Sequence, residues 1–139
     1  MSANSGSQGA GNGFLGLIGL TTTARGEGFS ECQVEVALDL LNPHGTIHGG
    51  VIYSMADTGM GAAVYSLLEP GEICATIEIT IAYFVAVRAG ILTCRTDVIN
   101  RAKRVVTLES QVRQGERLVA KAMGTFAVFA GERPAGGQG

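Results

Sequence analysis

Histidine, cysteine and proline are scarce in this 139-residue chain, at two, three and three residues. No stretch of eighteen or more apolar residues lacks a charge or a helix breaker, so no membrane span is expected. An excess of positive charge is missing too. Ten Lys and Arg against twelve Asp and Glu leave a net charge of -2, which removes the electrostatic footprint of a nucleic-acid binder. Cys32, Cys74 and Cys94 are odd in number, form no CxxC pair and lie in apolar strand-like runs. They read as buried free thiols in a reducing cytoplasm rather than as a disulfide framework. His44 and His48 stand four apart, as in a metal-binding helix, but Pro43 and Gly45 make a loop there and no third ligand stands out. No metal or other cofactor is expected.

What is present is organised simply. Residues 1–13 are rich in Ser, Gly, Asn and Ala and carry no positive n-region, so they read as a flexible tail rather than a secretory signal. Ten of the 21 glycines fall in residues 1–19 and 131–139. A second flexible tail is therefore expected over 131–139, and one folded domain over 14–130. The segment 14–20 is apolar but broken by glycine, at best a short helix or turn laid on the core. Strands are expected over 21–25 and 29–39, where Glu31, Gln33 and Glu35 alternate with Cys32, Val34 and Val36. A helix of about five turns follows over 51–68, stopped by Glu69, Pro70 and Gly71. Further strands are expected over 76–83, 90–100, 105–113 and 117–129. In the first of these, Ile77, Ile79, Ile81 and Tyr83 alternate onto one face. Two strands, one long helix and a run of long strands argue for an α+β fold, an antiparallel sheet of five or six strands wrapped round one central helix. Exposed sheet edges and an uncovered helix face give a reason to expect a dimer.

The informative stretch runs from Asn42 to Asp57. It holds both histidines, the Gly49-Gly50 pair, and one acid among otherwise apolar or small residues. If the helix begins at the glycines, its first N–H groups are unpaired with the positive end of the dipole behind them. Absent side chains would admit a carbonyl or phosphate oxygen; tight backbone packing at a helix start is the competing reading. Gly50, Ser54, Asp57 and Gly61 share one helical stripe, on which every neighbour of the acid is small. Asp57 is then either a working carboxylate or a buried acid tied to an N–H or an arginine. Gly49 and Asp57 are eight residues apart, about 12 Å along a helix, too far to serve one carbonyl within a chain. A catalytic role for both therefore expects a two-fold dimer with sites astride the interface. Ser54 has no GxSxG elbow and no histidine within a turn, so it is not expected to act as a nucleophile. Asp39 and His44 form an Asp-x4-His spacing that resembles the acid/base pair of (R)-specific enoyl-CoA hydratases. That family carries its Asn-Pro one residue earlier relative to the Asp and has no need of the His-Gly-Gly found here.

Asn42-x2-Gly45-x2-His48-Gly49-Gly50 followed by Asp57, together with the 76–83 strand, resembles the hotdog-fold acyl-CoA thioesterases of the phenylacetic-acid-degradation (PaaI-like) type over about residues 14–130. The resemblance implies that Asp57 activates water or attacks the thioester carbon, and that the Gly49 N–H of the other subunit polarises the carbonyl. It implies that Asn42 helps place the water or carbonyl, that His48 holds the loop, and that Thr76 is the hydroxyl beside the acid. Substrate contacts are then expected from Gly50, Ser54 and Tyr83, with Arg88, Arg101, Lys103 and Arg104 as candidates for the CoA phosphates. The basic run 101–104 reads equally as a solvated strand end, and Tyr53, Met60, Tyr65, Tyr83 and Phe84 equally as core or acyl pocket. The expected unit is a cytoplasmic homodimer, pairing to a homotetramer, that hydrolyses an aromatic or medium-chain acyl-CoA. A non-catalytic acyl-CoA-binding module and the Asp39/His44 hydratase are the alternatives.

Overall fold

A computed structural model describes residues 13–133; the tail expectations for residues 1–12 and 134–139 lie outside the described residues. The elements run α1 (Phe14–Ile18), β1 (Thr21–Gly26), β2 (Phe29–Glu35), a 3-10 turn (Leu38–Leu40), α2 (Gly49–Tyr65), β3 (Glu72–Tyr83), β4 (Ile91–Arg101), β5 (Val105–Gln114) and β6 (Arg117–Ala130). They build one six-stranded antiparallel sheet in the order β1-β2-β4-β5-β6-β3. The α2 helix carries the chain from β2, near one edge, across the sheet to β3 at the other. At the far end Gly131 N–H bonds the Gly71 carbonyl at 3.0 Å, and Arg133 stacks over the Tyr65 ring. Among the described residues, no helix is long and apolar enough to cross a membrane.

Four boundaries differ from the sequence expectation by two or more residues. The β3 strand starts at Glu72 rather than 76, where its ladder with β6 begins at the Glu72–Ala130 pair. The helix starts two residues early because His48 caps it, its Nδ1 accepting from Gly50 N–H at 2.8 Å. It ends at Tyr65 rather than 68. Ser66 Oγ donates to the Ala63 carbonyl, and Leu67 and Leu68 close tighter turns onto Val64 and Tyr65. The second strand stops at Glu35 rather than 39, since Val36 N–H turns to Gly90 and the chain enters the 3-10 turn.

A sequence with four glycines in α2 has low helix propensity, each interior glycine costing about 1 kcal/mol against alanine. Burial outweighs that cost. Ile52, Met55, Met60 and Val64 are almost wholly buried, each worth about 1.5–3 kcal/mol. The first half of the helix packs on Leu20, Val34, Leu92 and Val119, and the second half on Val106, Leu108, Phe126 and Val128. Between the two clusters runs a buried row of hydroxyls, Ser30, Thr96 and Ser110, in register across β2, β4 and β5. The row is satisfied: Ser30 Oγ donates to the Gly59 carbonyl at 2.6 Å, and the Thr96 and Ser110 hydroxyls pair at 2.6 Å. A Cβ at Gly59 would lie 2.7 Å from Thr96 Oγ1, so the helix reaches this row only through a glycine.

The neighbouring row holds Cys32 opposite Cys94, both free and buried; Cys74 is free but only half-buried. The hydrogen bond to Cys94, then burial, raise the Cys32 thiol. Desolvation pushes Cys74 up to about 11, against the lowering influence of the Tyr65 hydroxyl and Arg133.

The alternation read through 76–83 breaks at its start. Ile79 and Ile81 face the core, but Ile77 is the extra residue of a β-bulge between the Thr76–Phe126 and Glu78–Thr125 pairs, and it is 54% exposed. Without the bulge, Thr76 and Ile79 would lie on opposite faces, since side chains alternate along a strand. With it, Thr76 and Ile79 both face α2.

The seating at Gly59 gives a direct test. Gly59→Ala should lower stability by about 1–3 kcal/mol through overpacking against Thr96, measured by urea denaturation; an unchanged midpoint would show that the contact is not tight.

Candidate active site

The loop from Leu41 to Ile47 is closed by its own polar groups. The Asn42 side-chain oxygen accepts from the N–H groups of His44 (2.9 Å) and Thr46 (3.2 Å), and its amide nitrogen donates to Thr46 Oγ1 at 2.9 Å. Backbone bonds from Asn42 N–H to Thr46 O and from Gly45 N–H to Asn42 O finish the turn, which Gly45 enters with φ 81°. Ile47 N–H is held by Val87 O and His48 N–H by Leu40 O, so the loop delivers His48 to the start of α2 in one orientation. Nδ1 accepts a hydrogen bond from Gly50 N–H, so the neutral ring carries its own proton on Nε2.

The first turn of α2 is thereby mostly satisfied. Val51 N–H bonds His48 O and Gly50 N–H bonds His48 Nδ1, while Gly49 N–H has no hydrogen-bond partner among the described residues. The Tyr83 hydroxyl, from the end of β3, donates to the Gly49 carbonyl at 2.8 Å. A groove of about 350 Å³ borders this point, walled by Ile47, Ile52, Phe84, Val85 and Ala86. It joins a polar donor at a positive helix end to an apolar channel.

Asp57 lies two turns further on, on the flank of α2 that the sheet leaves open, and is partly buried. Its Oδ1 accepts from Thr76 Oγ1 at 2.7 Å, the sole hydrogen bond to the carboxylate among the described residues. Neither an arginine nor a backbone N–H is bonded to it, so the structural tie that would explain a buried acid is absent from the described residues. Ser54, between the two points, bonds back to the Gly50 carbonyl at 2.8 Å.

The remaining candidates scatter. Arg88 sits at the loop end, reaching the His44 carbonyl at 3.5 Å. Arg101 pairs with Glu72 at 3.8 Å, and Lys103 and Arg104 border a separate groove with Phe129 and Gly71. The two basic regions lie beyond the start and at the end of β4, whose eleven residues span about 33 Å of extended chain. Within one chain, Arg88 and the 101–104 group cannot meet the same phosphate. Asp39, exposed in the 3-10 turn, lines a cleft with His48 and Gly50, and His44 is not part of that cleft's lining. Among the described residues, no group of three or more His, Cys, Asp or Glu side chains could hold a metal ion. Sequence reading missed the Tyr83–Gly49 bond and the Ile77 bulge; neither leaves a local signal, because each depends on a residue distant in the chain.

With this geometry in view, the comparisons are specific. Residues 44–121 match the Thioesterase superfamily, a span that takes in the loop from His44, the helix, β3 to β5 and the start of β6. A Pseudomonas aeruginosa protein named by inference as an esterase, PA0474, is 33% identical over 68% of this chain and 74% of its own length. The 1,4-dihydroxy-2-naphthoyl-CoA hydrolase of Listeria monocytogenes is 26% identical over 84% of this chain and 95% of its own. The solved structure of the Escherichia coli PaaI protein, from the phenylacetic acid degradation operon, superposes with a TM-score of 0.78 at 26% identity, covering 85% of each chain. The fold and these likenesses thus define a hotdog-fold hydrolase of thioesters. The chain belongs to the thioesterase superfamily, and its resemblance to the PaaI-like type extends to the structure.

The cap predicts its own cost. His48→Ala should remove about 1 kcal/mol of stability, a melting-temperature drop of roughly 2–4 °C for a domain of this size, read by calorimetry. A melting temperature unchanged in this variant would show that the imidazole does not hold the helix start.

Proposed function

We propose that the protein is an acyl-CoA thioesterase that works as a homodimer with two shared sites. Each site takes Asp57 from one subunit and the Gly49 N–H from the other. The observation that carries the reading is the separation of the two groups: eight helical residues, about 12 Å, keep them from one carbonyl within a chain. The open flank of α2 and the edge strand β3, which pairs only with β6, supply a face on which a second copy can bring antiparallel helices together.

In this arrangement the partner subunit's Gly49 N–H donates a hydrogen bond to the thioester carbonyl oxygen and stabilises the negative charge that develops on it. Thr76 donates to one oxygen of Asp57 and so orients the carboxylate, leaving the other oxygen free. That oxygen either takes a proton from the attacking water or attacks the carbonyl carbon itself, to be released by water in a second step. Both routes end in free acid and CoA thiol. Asn42 and His48 hold the loop that aims the donor, and the Gly50–Ser54 flank of the helix faces the bound substrate. The apolar groove beside Gly49 suits an aromatic or medium-length acyl group or the pantetheine arm. Arg88 of one subunit and Arg101, Lys103 and Arg104 of the other would meet the CoA phosphates, since one chain holds them too far apart. Dimers pairing into a tetramer and a cytoplasmic setting complete the reading, the latter supported by three unpaired thiols.

Asp57→Asn should lower acyl-CoA hydrolysis, followed by thiol release, by about 10²–10⁴-fold; survival within a factor of a few would end the proposal. Sharing is tested by mixing. Asp57→Asn and Gly49→Val subunits, unfolded and reassembled together, should recover about a quarter of wild-type activity, because half of the dimers are mixed and each carries one intact site. No recovery from a mixture that forms heterodimers would place both groups in one chain's site.

A further inference from the structure

The peptide unit between Gly49 and Gly50 is gripped at both ends by side chains, one adjacent in the sequence and one distant. Its carbonyl accepts from the Tyr83 hydroxyl at 2.8 Å, and its N–H donates to His48 Nδ1 at 2.8 Å. Two successive glycines are the most mobile start a helix can have, and the first-turn N–H groups have no partners inside the helix. Neither glycine has the positive φ that would require glycine for its backbone. Space requires them instead. A Cβ at Gly49 would lie 3.1 Å from the Tyr83 Cζ and hydroxyl, and one at Gly50 would lie 3.0 Å from His48 Nδ1. Tyrosine, histidine and the two glycines therefore form one fitted unit.

We infer that Tyr83 is a positioning residue for the oxyanion donor, acting through the Gly49–Gly50 peptide rather than on substrate. Fixing this peptide plane, with the His48 carbonyl held by Val51 N–H, leaves the adjoining Gly49 N–H as the unpaired donor at the helix start, aimed in one direction. The Tyr83 proton is committed to Gly49 O, so the hydroxyl has no proton left for a thioester oxygen, although Tyr83 lines the groove. Burial first, and then Tyr53, raise the phenol above its ordinary value, so it stays a donor at neutral pH. The inference rests on Gly49 N–H being the oxyanion donor of the proposed thioesterase.

Tyr83→Phe keeps the ring and deletes the hydrogen bond. In steady-state hydrolysis of a panel of acyl-CoAs, kcat should fall about 10–100-fold, as expected for a donor displaced by a fraction of an ångström, with KM within about twofold of wild type. Independently of activity, amide hydrogen exchange at Gly50 should accelerate several-fold, because a loosened peptide releases His48 Nδ1. A raised KM with unchanged kcat would make Tyr83 a substrate contact and overturn the inference. Unchanged exchange at Gly50 would overturn it as well. Asp57→Asn, run alongside, keeps the readings separate: full activity there defeats the thioesterase site, while the exchange measurement still decides whether Tyr83 holds the peptide.

Discussion

The close approach of α2 to the sheet at Gly59 governs the rest of the molecule. A helix backbone normally stands off a sheet by the depth of its side chains. Here the missing Cβ lets the Gly59 carbonyl reach the Ser30 hydroxyl, with Thr96 and Ser110 completing a dry polar row. That contact fixes the rotation of the helix about its axis. Residue 57, two positions earlier and about 200° round, is then turned away from the centre of the sheet. Asp57 owes its place on the open flank to a glycine two residues away.

From that placement follows a division of labour along one helix. The N-terminal end presents a backbone donor backed by the dipole, and the middle presents a carboxylate. Each has its own support from β3: Tyr83 for the donor, Thr76 for the acid. One edge strand thus supports both groups that a chain would contribute to the proposed site. It can do so because the Ile77 bulge changes which residues face the helix part-way along its length. The bulge lies in the ladder of the edge strand β3, while β1–β2, β4–β5 and β5–β6 carry register shifts of their own.

Much of this was legible beforehand. The apolar run after Gly50 and the Pro-Gly stop marked one long helix, and the alternating runs marked its strands; both signals are local and periodic. The His-Gly-Gly and Asp57 spacing pointed to the site because helical rise converts residue number into distance without any tertiary information. The bulge was not legible, since 76–83 alternates without a break and only pairing to β6 reveals the extra residue. Nor was the commitment of Asn42, whose side chain is spent on three bonds inside its own loop.

The sequence by itself determined the α+β class, the helix and its acid, the membership of the thioesterase superfamily, and the fact that Gly49 and Asp57 cannot serve one carbonyl in one chain. Those properties depend on composition, period and spacing, which are read along the chain. Tertiary structure alone decided which hydroxyl touches the acid, which tyrosine grips the helix start, and how far apart the two basic regions lie. The first two join residues 19 and 34 positions apart, and only the packing of β3 and β4 against α2 and their neighbouring strands sets which of these groups meet.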